Sequence, residues 1–145
     1  MTTADELQFV VFRLGTQPFG LAITQVERIL RYAPPAAVPE APDFLEGVVP
    51  YAGGVVPVVD LRKRFGLDPA LREETRMVVV QLDDQNVAVV VDQVIEVLRV
   101  DAREISSPPR MVRGLAAKYI SGIIARPAGT IVVFLLAFSF NAYAC

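Results

Sequence analysis

Runs of Val, Ile and aromatic residues, each followed by a cluster of turn-forming residues, recur along the whole chain. Such runs favour β-strands, because branched and aromatic side chains pack well on a pleated surface. The first two, residues 9–14 and 19–23, flank the turn cluster Gly15-Thr16-Gln17-Pro18. Their separation predicts an antiparallel hairpin.

Further hairpins are predicted along the rest of the chain. Residues 47–60 fold around Gly53-Gly54, and the prolines inside both arms indicate edge strands or bulges. Residues 77–82 and 87–91 flank a polar turn, residues 94–100 form another strand, and residues 119–124 and 130–135 form a last hairpin. Nearly continuous valine runs indicate strands covered on both faces, as in a small closed barrel.

Two short helical segments are predicted between these strands. Thr24 and Glu27 have the spacing of a capping box, which predicts a short helix that carries Val26, Ile29 and Leu30 on one face. Residues 61–65 lie between an N-capping aspartate and a glycine, which predicts a single helical turn. Longer helices between strands are missing, so the chain is predicted to be all-β, with about nine strands in two small barrels.

Composition removes several functional classes. The chain has no His, which excludes a Ser-His-Asp triad and His-ligated zinc, and its only cysteine, Cys145, cannot build a disulfide framework. A net charge of -2 gives no basic field for nucleic acid. The N-terminus lacks the apolar stretch of a signal peptide, and the apolar run at residues 131–140 is shorter than the roughly 20 residues of a membrane-spanning helix. We expect a soluble, cytoplasmic protein without cofactors.

Candidate reactive groups have simpler interpretations. Asp60 and Asp92 each follow a valine run, where a carboxylate can serve acid-base hydrolysis or cap a turn, and the second role is favoured because nothing completes a catalytic site. The cluster Arg62-Lys63-Arg64 is typical of a solvated helix face, although it could contact anionic partners. We expect no catalytic, metal-binding or cofactor-binding residues.

A chain this apolar cannot bury every Val, Ile and Leu in small barrels. Exposed apolar patches on soluble proteins generally mark partner sites. The predicted helix with Val26 and Ile29, together with the arm Pro50-Tyr51-Ala52, therefore predicts a docking groove.

Residues 42–49 and 53–66 carry the most specific pattern in the chain. They contain a Pro-x-Phe-x-x-Gly segment, a glycine-centred hairpin and the run Pro57-Val58-Val59-Asp60-Leu61-Arg62-Lys63-Arg64-Phe65-Gly66. Residues 19–29, 89–94 and 119–123 add further matches. Taken together, residues 8–135 resemble the CheW-like domain, which occurs in the chemotaxis coupling protein and in the regulatory domain of the chemotaxis histidine kinase. Residues 136–145 form an atypical C-terminal tail.

The resemblance implies two intertwined five-stranded SH3-like barrels with a few short helices. It also implies a non-catalytic adaptor of bacterial two-component signalling, which couples chemoreceptors to the histidine kinase in a signalling array. The groove between the barrels would receive the helical receptor tip, and one barrel would pack end-on against the regulatory domain of the kinase. The implied partner-binding residues are Val26, Arg28, Ile29, Gly47, Tyr51 and Ala52.

Two departures from the family pattern fall within that set. Ala52 occupies the position of an arginine important for coupling, and Arg28 stands where an acidic residue is common. Such charge changes alter electrostatic complementarity and so the choice of partner. Two alternatives remain open: a divergent CheW-like scaffold outside chemotaxis, and a hydrolase that uses Asp60 or Asp92.

Overall fold

The computed structural model describes residues 6–82, 85–107 and 120–134. Within them lie eleven strands: β1 (Glu6–Leu14), β2 (Gln17–Ala22), β3 (Val26–Arg31), β4 (Leu45–Tyr51), β5 (Gly54–Val59), β6 (Arg76–Leu82), β7 (Gln85–Val91), β8 (Gln93–Asp101), β9 (Ile105–Ser106), β10 (Ile120–Arg126) and β11 (Gly129–Phe134). A single helical turn, α1 (Leu61–Arg64), and two 3₁₀ turns, Ile23–Gln25 and Ala102–Glu104, join them. The tail at 136–145 and the predicted turn residues 83–84 and 108–109 lie outside the described residues.

The strands form two sheets. Sheet A has the order β8-β1-β2-β11-β10-β9, and sheet B has the order β3-β6-β7-β5-β4. The extra strand of sheet A, β9, contains only two residues, so each sheet has five longer strands. The all-β prediction is confirmed, as is each predicted hairpin: β1–β2, β4–β5, β6–β7 and β10–β11 are all antiparallel pairs.

The two sheets repeat one another strand for strand. In each sheet one parallel pair joins two hairpins, and its register is the same: Val133 lies opposite Gly20 in sheet A, and Val58 lies opposite Ala88 in sheet B. Sheet A takes β1 and β2 from the first half of the chain and the remaining strands from the second. Sheet B takes β6 and β7 from the second half and the others from the first. The predicted intertwining is therefore confirmed.

An internal repeat in the sequence underlies this symmetry. The outer strands β3 and β8 begin within the matching segments Gln25-Val26 and Gln93-Val94, and both continue to Leu-Arg. The hairpins β4–β5 and β10–β11 each carry a bulge at a glycine, Gly47 and Gly122. Corresponding residues can therefore be compared between the sheets.

Three apolar clusters hold the fold together. Sheet A encloses one that includes Phe9, Leu98 and Ile124, and sheet B encloses another that includes Val49, Met77 and Val90. The third, which we call the central cluster, joins the sheets and contains Phe12, Leu14, Leu21, Val59, Leu61, Val78, Val80, Leu82, Val87, Val89, Val91 and Phe134. Buried residues occur on both faces of these strands, which explains their continuous valine runs.

The helix predicted from Thr24 is wrong. Thr24 lies in a 3₁₀ turn without a side-chain cap, and Val26–Arg31 is the strand β3, which pairs with β6. Pairing with the buried strand β6 outweighs the local capping pattern. The β-branched residues Val26 and Ile29 also favour a strand over a helix. The prediction for residues 61–65 is confirmed: the Asp60 side chain accepts a hydrogen bond from the Arg62 backbone at the start of α1, and Gly66 has φ +73° after its end.

Candidate functional site

The predicted partner-binding residues fall into three places. Val26, Arg28 and Ile29 lie on β3, the outermost strand of sheet B. Tyr51 ends β4 and Ala52 follows it at the tip of the β4–β5 hairpin. Gly47 lies inside β4. We call residues 26–29 together with Tyr51 and Ala52 the β3 surface.

Glu27 connects the two parts of the β3 surface. The register of β3 against β6 shifts between Val26 and Arg28, so Glu27 sits at a bulge. The Tyr51 hydroxyl donates to Glu27 Oε1 at 2.6 Å, and Asn86 Nδ2 donates to the same oxygen at 3.0 Å. A bulge turns a side chain out of the regular alternation between the two faces of a strand. Here the Glu27 carboxylate accepts hydrogen bonds from Tyr51 at the end of β4 and from Asn86 near the start of β7.

This hydrogen bond also changes the pKa of Tyr51. The hydrogen bond to Glu27 raises the pKa of Tyr51 above its usual 10.0; burial and the negative charge of Glu27 raise it further, and the positive charge of Arg28 opposes the shift. The phenol therefore stays protonated and remains a donor through the physiological range.

The β3 surface presents both an apolar side chain and a cation. Ile29 is 41% exposed, and Arg28 beside it is exposed as well. Val26 is partly buried against the central cluster. The outer edge of β3 pairs with no other strand among the residues that the structure describes. Exposed apolar area beside a charge at a strand edge suits protein recognition.

The hairpin tip has a defined shape. Tyr51 pairs with Gly54, and the two residues between them have positive φ, +50° at Ala52 and +83° at Gly53. This is the type I′ turn that suits the twist of a two-residue hairpin. Ala52 is an unusual choice for it, since a Cβ makes left-handed backbone unfavourable. The exposed tip borders a shallow notch that the start of β7, Gln85 and Asn86, also lines.

Gly47 has a different environment from the other predicted residues. It is buried, and a Cβ built on it would lie 2.0 Å from the carbonyl oxygen of Ala36. Ala36 forms an isolated antiparallel bridge with Val48, so the connector runs directly beside β4 at this point. Any effect of Gly47 on binding would therefore act through the placement of β4.

A buried ionic cluster lies where the two sheets meet. Arg62 is fully buried, and its guanidinium donates to both oxygens of Asp60 at 3.0 and 2.9 Å and to Asp92 at 2.7 Å. The carbonyls of Pro69 and Ala70 accept its remaining N–H groups. Burial would lower the pKa of Arg62, but its hydrogen bonds and ion pairs with the two aspartates outweigh burial, and the pKa is raised.

This cluster contradicts the predicted solvated face at Arg62 and supports the predicted structural role of Asp60 and Asp92. Arg62 does not lie on a solvated helix face, as the Arg62-Lys63-Arg64 triplet suggested; of the three, only Lys63 is exposed. Asp60 caps α1, as expected, and Asp92 accepts the Gly15 backbone N–H at 2.6 Å, which fastens the β1–β2 turn. Both carboxylates are thus engaged in holding elements together.

Two further observations limit the chemistry of the described residues. In the segments 6–82, 85–107 and 120–134, no group of three or more His, Cys, Asp or Glu is arranged to hold a metal ion. Within the same segments, no helix combines the length and the apolar character needed to cross a membrane.

Sequence reasoning missed Glu27 and the burial of Arg62. Glu27 lies between two predicted site residues, Val26 and Arg28. Its partner Tyr51 is distant in sequence, so their contact can be recognised only once β3 is known to be a strand of sheet B. Burial of Arg62 depends on Asp92, which lies at the junction of β7 and β8. No local pattern in the sequence joins Glu27 to Tyr51 or Arg62 to Asp92.

Comparison with known proteins agrees with the geometry. The sequence model of the CheW-like domain matches residues 8–139, somewhat beyond the predicted boundary at 135. The chemotaxis protein CheW of Klebsiella aerogenes is 32% identical over 117 residues, which cover 80% of this chain and 70% of that protein. The CheW of Treponema pallidum is 27% identical over 134 residues, 89% of this chain and 79% of that protein.

A solved structure shares the whole architecture. The crystal structure of the scaffolding protein TtCheW from Thermoanaerobacter tengcongensis superposes with a TM-score of 0.86 at 31% identity, covering 93% of this chain and 92% of that one. The overall fold is thus shared with a known scaffolding protein, and this chain belongs to the CheW-like domain family.

Proposed function

We propose that this chain is a non-catalytic adaptor of a chemotaxis signalling array, which joins chemoreceptors to a histidine kinase by protein–protein binding. Membership of the CheW-like family supports this function. The engagement of Asp60 and Asp92 with Arg62 argues against the alternative hydrolase, because a general base needs a free carboxylate near a substrate cleft.

The observation that carries the proposal is the β3 surface. Exposed Ile29 supplies apolar area, exposed Arg28 supplies charge, and the Glu27–Tyr51 contact fixes β3 against the hairpin tip. A fixed surface loses little conformational entropy on binding, and a few residues at its centre can carry most of the binding energy.

Two partners fit this surface. The regulatory domain of the kinase would contact the hairpin tip around Tyr51 and Ala52, and the helical tip of a chemoreceptor would lie along β3 against Val26 and Ile29. Because Arg28 brings a positive charge and Ala52 brings none, the fitting partners carry an acidic group facing β3 and an uncharged contact facing the hairpin tip. The array would lie in the cytoplasm, with the chain attached to the membrane only through the receptors.

Isothermal titration with the cognate kinase regulatory domain and with a receptor-tip fragment tests this function. We expect Ile29→Asp and Arg28→Glu to weaken binding of at least one partner by about tenfold or more, the loss typical of a central interface residue. Arg99→Glu is the matched control, because Arg99 is an exposed arginine on β8 of sheet A and its reversal should leave both affinities unchanged. Unchanged affinities in all three variants, or no binding by the unmodified chain, would contradict the proposal.

A further inference from the structure

A cleft opens in sheet A between the outer strand β8 and the tip of the β10–β11 hairpin. Its volume is about 590 Å³, within the range that is typical of small-molecule sites. Three buried apolar side chains from different strands, Val11, Leu98 and Ile131, contribute to its lining, and so does the exposed Ile95. The cleft therefore offers an apolar surface that a small organic group can cover.

The corresponding place in sheet B is bridged by a carboxylate. The repeated strand order relates β8 to β3, the β1–β2 hairpin to β6–β7, and the β10–β11 hairpin to β4–β5. Between β3 and the tip of the β4–β5 hairpin, Glu27 Oε1 accepts hydrogen bonds from Tyr51 and from Asn86. Sheet B therefore supplies from its own chain the anion that joins its outer strand to its hairpin tip.

Sheet A lacks that carboxylate but keeps a donor near it. Ile95 has the position of Glu27, since each lies at a bulge in its outer strand, and an alkyl side chain cannot accept a hydrogen bond. Arg126 has the position of Tyr51, because each ends a strand and pairs with the glycine that begins the next one. The place of the acceptor in sheet A is therefore filled by an alkyl group, beside a cationic donor.

Two guanidinium groups line the cleft. Arg13 is exposed on β1 and donates to the uncharged side-chain oxygen of Gln93. Arg126 approaches Glu104 at 3.4 Å, which is longer than the about 2.7–2.9 Å of a strong charge-assisted hydrogen bond. The planar fork of a guanidinium matches a carboxylate, so both arginines suit such a ligand. Glu96 also lines the cleft, and its negative charge opposes an incoming anion.

We propose that this cleft binds a carboxylate attached to a short apolar group, and that the carboxylate takes the place in sheet A that Glu27 Oε1 has in sheet B. Arg126 and Arg13 donate to it, and the apolar group covers the buried side chains of the lining. Such a group can come from a free small acid or from an acidic side chain of a polypeptide. This inference does not depend on the proposed function.

Titration of the labelled full chain with hexanoate, followed by NMR, tests the site. We expect saturable amide shifts in residues 95–98 and 126–131, and we expect hexanamide, which has the same chain without the charge, to bind at least about fivefold more weakly. The capped peptide acetyl-Val-Glu-Val-amide is titrated in parallel. Tighter binding of hexanoate identifies a free acid as the ligand, and tighter binding of the peptide identifies an acidic side chain. Shifts that do not saturate, or equal binding of hexanamide, would overturn the proposal.

Substitutions in the cleft sharpen the test. Ile95 is 44% exposed, so the fold tolerates Ile95→Glu, which should abolish hexanoate binding by placing a carboxylate at the position of Glu27, and Ile95→Gln, which should retain it. Arg126→Gln should weaken binding by about fivefold or more, and Glu96→Gln should strengthen it about twofold. Arg99→Gln, on the same strand but outside the cleft, is the control and should change nothing. Equal affinities of the two Ile95 variants, or of Arg126→Gln and Arg99→Gln, would contradict the proposal.

Discussion

Sheet A and sheet B share a register and a bulged glycine, yet their edges differ in chemistry. In sheet B, Glu27 accepts from Tyr51 and so joins the outer strand to the hairpin tip. The corresponding residues of sheet A are Ile95 and Arg126, which cannot form that pair. The residues common to both halves build the fold, and the residues that differ distinguish one surface from the other.

The charge at the centre of each edge differs as well. Arg28 on β3 corresponds to Glu96 on β8, and both are exposed. A partner that complements one edge therefore meets a like charge at the other, which gives two similar surfaces different partners. Substitutions in the two sheets therefore test how far the sheets differ in packing, charge and hydrogen bonding.

The bulge glycines should differ most in their tolerance of a side chain. Gly47 has φ +140°, and an added Cβ would lie 2.0 Å from a backbone oxygen, whereas a Cβ on Gly122 would lie 2.6 Å from a side-chain methyl carbon, Cγ2 of Ile105. We expect Gly47→Ala to reduce the free energy of unfolding by more than about 4 kcal/mol and Gly122→Ala by about 1–3 kcal/mol. Urea denaturation measures both, and equal losses would show that the two bulges are equivalent in packing.

Because of the ionic cluster, the stability of the fold should depend strongly on Arg62. Arg62→Ala leaves Asp60 buried without its counter-charge, and we expect a loss of about 3–5 kcal/mol in the free energy of unfolding. Arg99→Ala removes an exposed arginine and should cost less than about 0.5 kcal/mol. The double variant Asp60→Asn with Arg62→Met should recover part of the loss. A small effect of Arg62→Ala in thermal and urea unfolding would mean that the cluster contributes little to the fold.

The hairpin tip of sheet B can be improved. Ala52 has φ +50°, so Ala52→Gly should stabilise the chain by about 1 kcal/mol, because glycine adopts this conformation without the Cβ penalty. Gly53→Ala places the same penalty at the neighbouring position, φ +83°, and should destabilise by a similar amount. Changes of similar size and opposite sign in the free energy of unfolding, measured in urea, would support the turn geometry. A loss of stability in Ala52→Gly would contradict it.

The smallest expected effect is on the titration of Tyr51. The hydrogen bond from its hydroxyl to Glu27 raises its pKa above 10.0 in the folded chain. The stabilisation from this bond is thus complete below pH 10 and declines as the pH rises through the folded pKa. Glu27→Gln should bring the pKa back towards its ordinary value, as followed by the ring carbon shift of Tyr51 in NMR. A pKa that does not move would remove the link between β3 and the hairpin tip.

Much of the fold could be predicted from the sequence because its signals are local. Valine runs between turn residues predicted the hairpins, and the Asp60–Gly66 spacing predicted α1. The helix prediction for the segment after Thr24 was wrong for a physical reason. The spacing of its apolar residues favours a helix, its β-branched residues favour a strand, and only the pairing with β6 decides between the two.

The site was less accessible to sequence reasoning. Val26, Ile29, Tyr51 and Ala52 were predicted from apolar residues that small barrels cannot bury, and Arg28 was added by the resemblance. The structure places all five on β3 and the adjoining hairpin tip; their role in binding stays a prediction. Glu27 contacts Tyr51, and Arg62 contacts Asp92 in addition to nearby Asp60; no periodicity encodes these long-range contacts.

Chemical-shift mapping of the isotopically labelled chain, titrated separately with the cognate kinase regulatory domain and with a receptor-tip fragment, tests the role of the β3 surface in binding. We expect the largest amide shifts on Tyr51 and Ala52 with the kinase domain and on residues 26–29 with the receptor-tip fragment, with Ile95, Glu96 and Val97 on β8 unchanged in both titrations. The largest shifts on β8 with β3 unmoved, or no shifts at all, would contradict that role.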